Sequence, residues 1–328
     1  MSAMIRVAAI GTGYWGPNLA RNLHELGALA LVCDLVTERA EQLAAKFGVG
    51  VESDFERVLA RDDVQAVAIA TPVATHHALA LRALEAGKHV FVEKPLALTE
   101  AEARHLCRVA SAGGMTLMVG HLLHYHPAVA ALQGLYENGI LGDIKHIRCV
   151  RFNFGKLRSE ENVLWSFAPH DLSLTLAFAG REPHDVRAVG LRVLGTPRED
   201  IVYADLDFGA FSAHVQVSWL EPIKQHQFAL FGSKRIAVFN DILKEGKLRL
   251  YDKGFDPLEG SFAMRDNGEE IVPLEAKEPM REELRDFLHC CRTGQTPLAS
   301  GEAAVKVIRT LERLTVALGE ERTVGHVV

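Results

Sequence analysis

"MIRVAAIGTGYWGPNLARNLHELG", residues 4–27, decides how the rest of the chain is read. It opens with an apolar run short enough for a buried strand, and the run stops at a glycine. Leu19, Leu23 and Leu26 then recur on one helical face, and Gly27 ends the helix. A strand that passes through G-x-G-x-x-G into a helix suits a pyrophosphate. Gly11 permits the tight turn, Gly13 lets the backbone approach the phosphates, and Gly16 lets helix and strand pack closely. Thr12, Tyr14 and Trp15 complete the loop, and the helix N-terminus faces the phosphate charge.

"LALVCD" (29–34) is a second buried-strand run that ends in Asp34. An acidic residue about 20 positions after the glycines accepts hydrogen bonds from the adenosine ribose hydroxyls and repels a 2′-phosphate. Asp34 therefore predicts NAD as the cofactor, with Arg39 close enough to leave some NADP tolerance open. The alternation continues with a helix over 37–47, "VQAVAIAT" (64–71), a helix over 74–86 and "HVFVEKP" (89–95). "TEAEARHLCRVASAGG" follows, with Thr99 and Glu102 in capping-box spacing, then "MTLMVGH" (115–121). Continuous apolar strands separated by single helices predict a parallel sheet covered on both faces. The first domain is thus an α/β Rossmann domain over residues 1–122. "TPVATHH" (71–77) and "EKP" (93–95) fall at the carboxyl ends of strands, which makes Thr71, Pro72, His76, Glu93 and Lys94 cofactor-side candidates.

The chain of 328 residues is long enough for two domains. A net charge of -6 argues against a nucleic-acid partner. Five cysteines without a C-x-x-C pair fit free thiols in a reducing compartment. The apolar start is too short for a signal sequence or a membrane span, so a cytoplasmic protein with no membrane partner is expected.

From Asp143 the pattern changes to period-two runs with Gly, Asp and Pro punctuation: "DIKHIRCVRFNFG", "DVRAVGLRVLG", "DIVYADLDFGAFSAHVQVSWLEP", "QHQFALFGSKRIAVFND" and "KLRLYD". They predict an α+β domain over 123–328 with a large open, mostly antiparallel sheet and a helix around 171–179. Two closing helices are candidates to pack back on the first domain. A broad sheet with an apolar face also predicts a homo-oligomer, dimer or tetramer.

The Rossmann glycines, "EKP" after the fourth strand, "GHLLHYHP" after the fifth and the open sheet together resemble the glucose-fructose oxidoreductase, inositol dehydrogenase and MocA family over nearly the whole chain. The resemblance implies that Lys94 lies by the nicotinamide and the substrate. Many relatives add an Asp-x-x-x-His pair from the second domain; the His matches His170, and the Asp position holds Ser166. In "WSFAPHD" (165–171), Pro169 suits a first helical turn, Trp165 is expected against cofactor or substrate, and Asp171 points to another helix face. His121, His124, Asn153, Asn162 and Ser166 are expected to line the substrate.

His76, His77, His121, His124 and His126 are of a metal-ligating type, but no thiolate or carboxylate completes a ligand set. Strand alternation would put His124 and His126 on one side and His121 on the other. No metal is expected.

"ENVLWSFAPHD" most resembles the branch that acts at C3 of nucleotide-activated sugars. That implies NAD-dependent oxidation of the C3 hydroxyl of UDP-N-acetylglucosamine, with an aminotransferase taking the 3-keto product toward lipid A or a surface polysaccharide. UDP-N-acetylglucosaminuronate is the next substrate. An inositol or free-sugar dehydrogenase, a 3-ketosugar reductase and a non-catalytic NAD-binding sensor are the alternatives. The residues leave open whether Lys94 or His170 is the base.

Overall fold

The computed structural model of the chain describes residues 4–155, 157–158 and 161–320. Six strands form the first sheet: β1 (Val7–Ile10), β2 (Leu29–Cys33), β3 (Gly50–Glu52), β4 (Ala66–Ile69), β5 (His89–Glu93) and β6 (Leu117–Gly120). Their spatial order is β3-β2-β1-β4-β5-β6, and every neighbouring pair is parallel. Helices α1 (Gly16–Glu25), α2 (Thr37–Phe47), α3 (Phe55–Leu59), α4 (His76–Glu85) and α5 (Glu100–Gly113) lie along the same stretch of chain. β1, β2 and β4 are buried at every residue, as a sheet covered on both faces requires. The strand order reverses beside β1, and there the carboxyl ends of the strands open a ligand crevice.

Gly50–Glu52 and Phe55–Leu59 are elements that periodicity does not reveal, because the edge strand is three residues long and lacks a buried run. "EKP" therefore follows the fifth strand and "GHLLHYHP" the sixth. α5 begins as its sequence suggests: the Thr99 hydroxyl accepts from Glu102 N–H at 3.2 Å, while Glu102 accepts from Leu98 N–H at 3.2 Å.

The second sheet has eight strands: β7 (Ile144–Phe154), β8 (Asp185–Leu191), β9 (Ile201–Asp207), β10 (Ser212–Ser218), β11 (Leu220–Gly232), β12 (Ile236–Asn240), β13 (Leu248–Leu258) and β14 (Ser261–Ile271). Its order is β14-β13-β12-β11-β7-β10-β9-β8; β7 and β10 run parallel and the other pairs are antiparallel. β14 is missing from the sequence reading because nearly all of it is exposed and no apolar alternation marks it. α6 (Pro127–Glu137) precedes the sheet, and α7 (Val163–Ala179) packs on β7, β9 and β10.

α7 starts at Val163, well before position 171. The Asn162 side chain caps it, accepting from Trp165 N–H at 3.2 Å. Pro169 consequently lies inside the helix and not in its first turn; having no N–H, it leaves the Trp165 carbonyl without a helical donor.

The chain divides into two compact units, one running up to Tyr125 and including Lys277–Arg309, the other comprising His126–Ala276 and the chain from Thr310 onward. The division at 122 thus moves to 125. α8 (Pro279–Thr293) and the first part of α9 (Gly301–Glu320) join the parallel sheet and not the second domain. Phe287 of α8 meets Phe91 of β5 edge-on at 5.8 Å, and Val119 N–H donates to Ala299 O at 2.9 Å. No described helix is long and apolar enough to cross a membrane. All five cysteines are buried and free.

Candidate active site

The glycine loop of the first unit is shaped by what a side chain would strike. Gly11 has φ +91°, and a Cβ there would stand 2.9 Å from the Ala70 carbonyl oxygen. A Cβ on Gly16 would land on the Gly11 carbonyl oxygen, whereas at Gly13 nothing lies within 4 Å. α1 carries Pro17 in its first turn, and that turn has neither a capping side chain nor an acidic residue. Its N–H groups and positive end therefore remain for an anion, which fits a dinucleotide pyrophosphate held over Gly13.

Asp34 stands just past β2 and is tied to this loop. Its Oδ2 accepts from Thr12 N–H at 2.6 Å and the Thr12 hydroxyl at 2.7 Å, and its Oδ1 accepts from Val36 N–H at 2.8 Å. Burial works to raise the carboxyl pKa, but these hydrogen bonds and the charge of Arg39 outweigh it and hold the group below the usual carboxylate range. Asp34 is thus a fixed anion. Tyr14 is 95% exposed and stacks on Trp15 with ring centroids 5.9 Å apart.

At the end of β4 the Thr71 and Thr75 hydroxyls lie 2.7 Å apart, and Pro72 leads into a short 3-10 turn. The His76 ring is turned inward, with Nδ1 2.8 Å from the Pro95 carbonyl oxygen and Nε2 2.9 Å from that of Thr71. Both ring nitrogens are therefore committed to backbone, which leaves His76 no polar atom for the cofactor contact expected of it.

Glu93 ends β5, and the Lys94–Pro95 peptide that follows is cis. Burial pushes the Glu93 carboxyl up to about 7, opposed by the Lys94 charge and by hydrogen bonds from Lys94 N–H and the Trp15 indole. The same Lys94 charge reaches His76 and His121. His121 is lowered to about 3, by burial first and then by His124 and Lys94; burial lowers His124 to about 4. Their rings meet edge-on at 6.3 Å. Lys94 is thus set beside imidazoles that stay neutral at pH 7, with one buried carboxyl next to it in the chain.

The three histidines after β6 do not alternate, because the strand ends at Gly120 and Leu122–Tyr125 forms a 3-10 turn. His126 belongs to the other unit, where it caps α6 by accepting from Ala128 N–H at 3.0 Å. Among the described residues no three His, Cys, Asp or Glu side chains converge as metal ligands.

In the second unit α7 is buried from Val163 to Leu176 except at Trp165, Phe167 and His170, which are half-exposed. His170 is therefore the ionisable group that α7 brings toward its surface, while Ser166 is 3% exposed inside the helix packing. Asp171 faces inward, accepting from Arg151 of β7 at 2.7 Å (Nε) and 2.9 Å (Nη2). The Trp165 indole N–H donates to the Thr315 hydroxyl of α9 at 3.0 Å. Asn162, besides capping α7, donates to Glu199 at 2.8 Å, so its amide is used within the chain. Asn153 lies near the end of β7, half-buried against Gly155.

Sequence reasoning missed two features. The Arg151–Asp171 pair carried only one signal, a lone acid inside an apolar helix. Glu283 of α8 is 1% exposed, and burial, then the charges of Glu93 and Asp286, push its carboxyl well above the ordinary range. Nothing in its local sequence marks it.

Known proteins share this architecture. Residues 5–121 match the oxidoreductase family with an NAD-binding Rossmann fold, and residues 129–238 match the GFO/IDH/MocA C-terminal domain. The chain is 31% identical to the UDP-N-acetylglucosamine 3-dehydrogenase of Acidithiobacillus ferrooxidans, over 96% of this chain and 97% of that one. A solved structure of that enzyme superposes with a TM-score of 0.85 at 29% identity, covering 96% of this chain and 98% of the other. The NAD-dependent scyllo-inositol 2-dehydrogenase of Bacillus subtilis is 25% identical, over 92% of this chain and 90% of its own.

Proposed function

Since the chain belongs to the GFO/IDH/MocA family of NAD-binding oxidoreductases, we propose that it oxidises the C3 hydroxyl of a nucleotide-activated amino sugar, UDP-N-acetylglucosamine, to the 3-keto sugar. What carries the chemistry is Lys94, placed at the carboxyl end of β5 beside His121 and next to the buried Glu93. The choice of sugar is supported by likeness to a UDP-N-acetylglucosamine 3-dehydrogenase across nearly the full length of both chains.

NAD, when bound, supplies the hydride acceptor, so the alcohol loses a hydride and a proton and becomes a ketone. The chain's own residues do the rest. The Gly11–Gly16 loop and the start of α1 hold the diphosphate, and ionised Asp34 takes the ribose hydroxyls while repelling a 2′-phosphate. His121 and His124 stay neutral and so place no further charge beside Lys94. Lys94 in its amine form accepts the hydroxyl proton, with His170 as the alternative acceptor. A 3-keto product is the kind of compound an aminotransferase consumes.

Incubation with NAD and, separately, UDP-N-acetylglucosamine, its uronate and inositol tests the assignment through NADH absorbance and product mass. UDP-N-acetylglucosamine should be turned over most efficiently, with a product lighter by two hydrogens. Faster oxidation of inositol would overturn the substrate.

A further inference from the structure

The turn after β4 and the segment after β5 are joined by one side chain. His76, 2% exposed, opens α4, and its ring spans Thr71 and Pro95, whose carbonyl oxygens lie 2.9 and 2.8 Å from Nε2 and Nδ1. Pro95 directly follows Lys94, and the next two residues, Leu96 and Ala97, are fully buried. We propose that His76 is a positioning residue for Lys94: its ring ties the end of β4 to the segment just past β5 and so fixes where the Lys94 amine stands. This rests on the assignment of Lys94 to proton transfer above.

The chemistry of the ring sharpens the role. Carbonyl oxygens only accept, and a neutral imidazole has one N–H, so it satisfies one carbonyl and turns a lone pair toward the other; only a protonated ring donates to both. Burial, the largest influence, holds His76 neutral, the two carbonyls favour the protonated ring, and the Lys94 charge again opposes it. Lys94 and His76 therefore compete for positive charge. Coupling of this kind is reciprocal, so a change at His76 must be felt at Lys94.

The test compares His76→Gln with the wild-type protein in three measurements. Hydrogen exchange of the peptide carrying Lys94 to Leu98 should speed up about tenfold or more, because local opening becomes easier. Turnover of UDP-N-acetylglucosamine should fall about 10–100-fold, with its pH profile moved, since the proton-accepting amine is no longer held in place. NADH affinity should stay within about threefold, because no cofactor contact is lost. Unchanged exchange with an unmoved pH profile overturns the proposal, and so does a loss confined to NADH binding. Lys94→Ala, assayed in parallel, separates the two layers. If that variant turns over normally, the assignment of Lys94 falls, while hydrogen exchange in His76→Gln still decides the clamp. Should His76→Gln not fold, the wild-type protein labelled with 15N-histidine gives the answer. A His76 ring N–H protected from solvent exchange supports the clamp, and one that exchanges as freely as exposed His24 overturns it.

Discussion

Replacing Asp171 by asparagine removes the charge from a carboxylate that is 1% exposed and holds the Arg151 guanidinium at 2.7 and 2.9 Å. Arg151 is itself 8% exposed, so its charge is left buried beside an amide. Breaking one side of such a pair costs about 3–5 kcal/mol. The charge of Asp241 also acts on Arg151 and offsets part of the loss, which places the expected cost near 3 kcal/mol. Urea unfolding of wild type, Asp171→Asn, Arg151→Met and the double variant Arg151→Met/Asp171→Leu measures it. The double variant leaves no uncompensated charge and should lie within about 1 kcal/mol of wild type, despite carrying two changes. In thermal unfolding the single variant should melt roughly 4–9 °C lower. Because Asp171 directly follows His170, the single variant should also lose turnover beyond what its folded fraction explains. An Asp171→Asn protein within about 1 kcal/mol of wild type, or a double variant as unstable as the single, would refute the reading that the cost is that of an uncompensated buried charge.

Three more outcomes follow from the site. Lys94→Ala should cut turnover by about 10²–10⁴-fold with the melting temperature preserved, and near-normal turnover would move proton transfer elsewhere. His170→Asn should lower turnover far more than it weakens nucleotide-sugar binding, while buried Ser166→Ala should matter much less; the reverse pattern in steady-state kinetics would remove His170 from the chemistry. The raised Glu93 carboxyl binds a proton more tightly folded than unfolded, so it lowers stability as pH rises from 4.5 to about 7 and no further above that. Glu93→Gln should remove this slope and gain up to roughly 3 kcal/mol at pH 8 relative to wild type, read by urea unfolding at both ends of the range.

What could be read from sequence was local. Gly11 and Gly16 were legible because a turn and a close approach each restrict the residue, and Asp34 because it stands at a strand end beside the glycine loop. Long runs of alternating or continuous apolar residues likewise exposed the two sheets. β3 and β14 were hidden, the first by its three residues and the second by exposure that erases alternation. The start of α7 was misplaced because Pro169 looks like a first-turn proline, whereas the cap is supplied by Asn162 and the helix tolerates proline inside it. The return of residues 277–309 to the first unit, which the sequence left as an option for the closing helices, is made through contacts such as Phe287 with Phe91. The position of His76 after Thr71-Pro72 suggested a ligand contact, and only the fold shows both ring nitrogens against carbonyls.

The proposed removal of a hydride from C3 of UDP-N-acetylglucosamine is checked by following that hydrogen. The protein is incubated with NAD and substrate deuterated at C3, and the reduced cofactor is weighed by mass spectrometry. Deuterium in the NADH, with turnover slower than for unlabelled substrate or equal to it if product release limits, is the predicted result. Unlabelled NADH, or a sugar product that still carries its deuterium, would rule out hydride removal from C3.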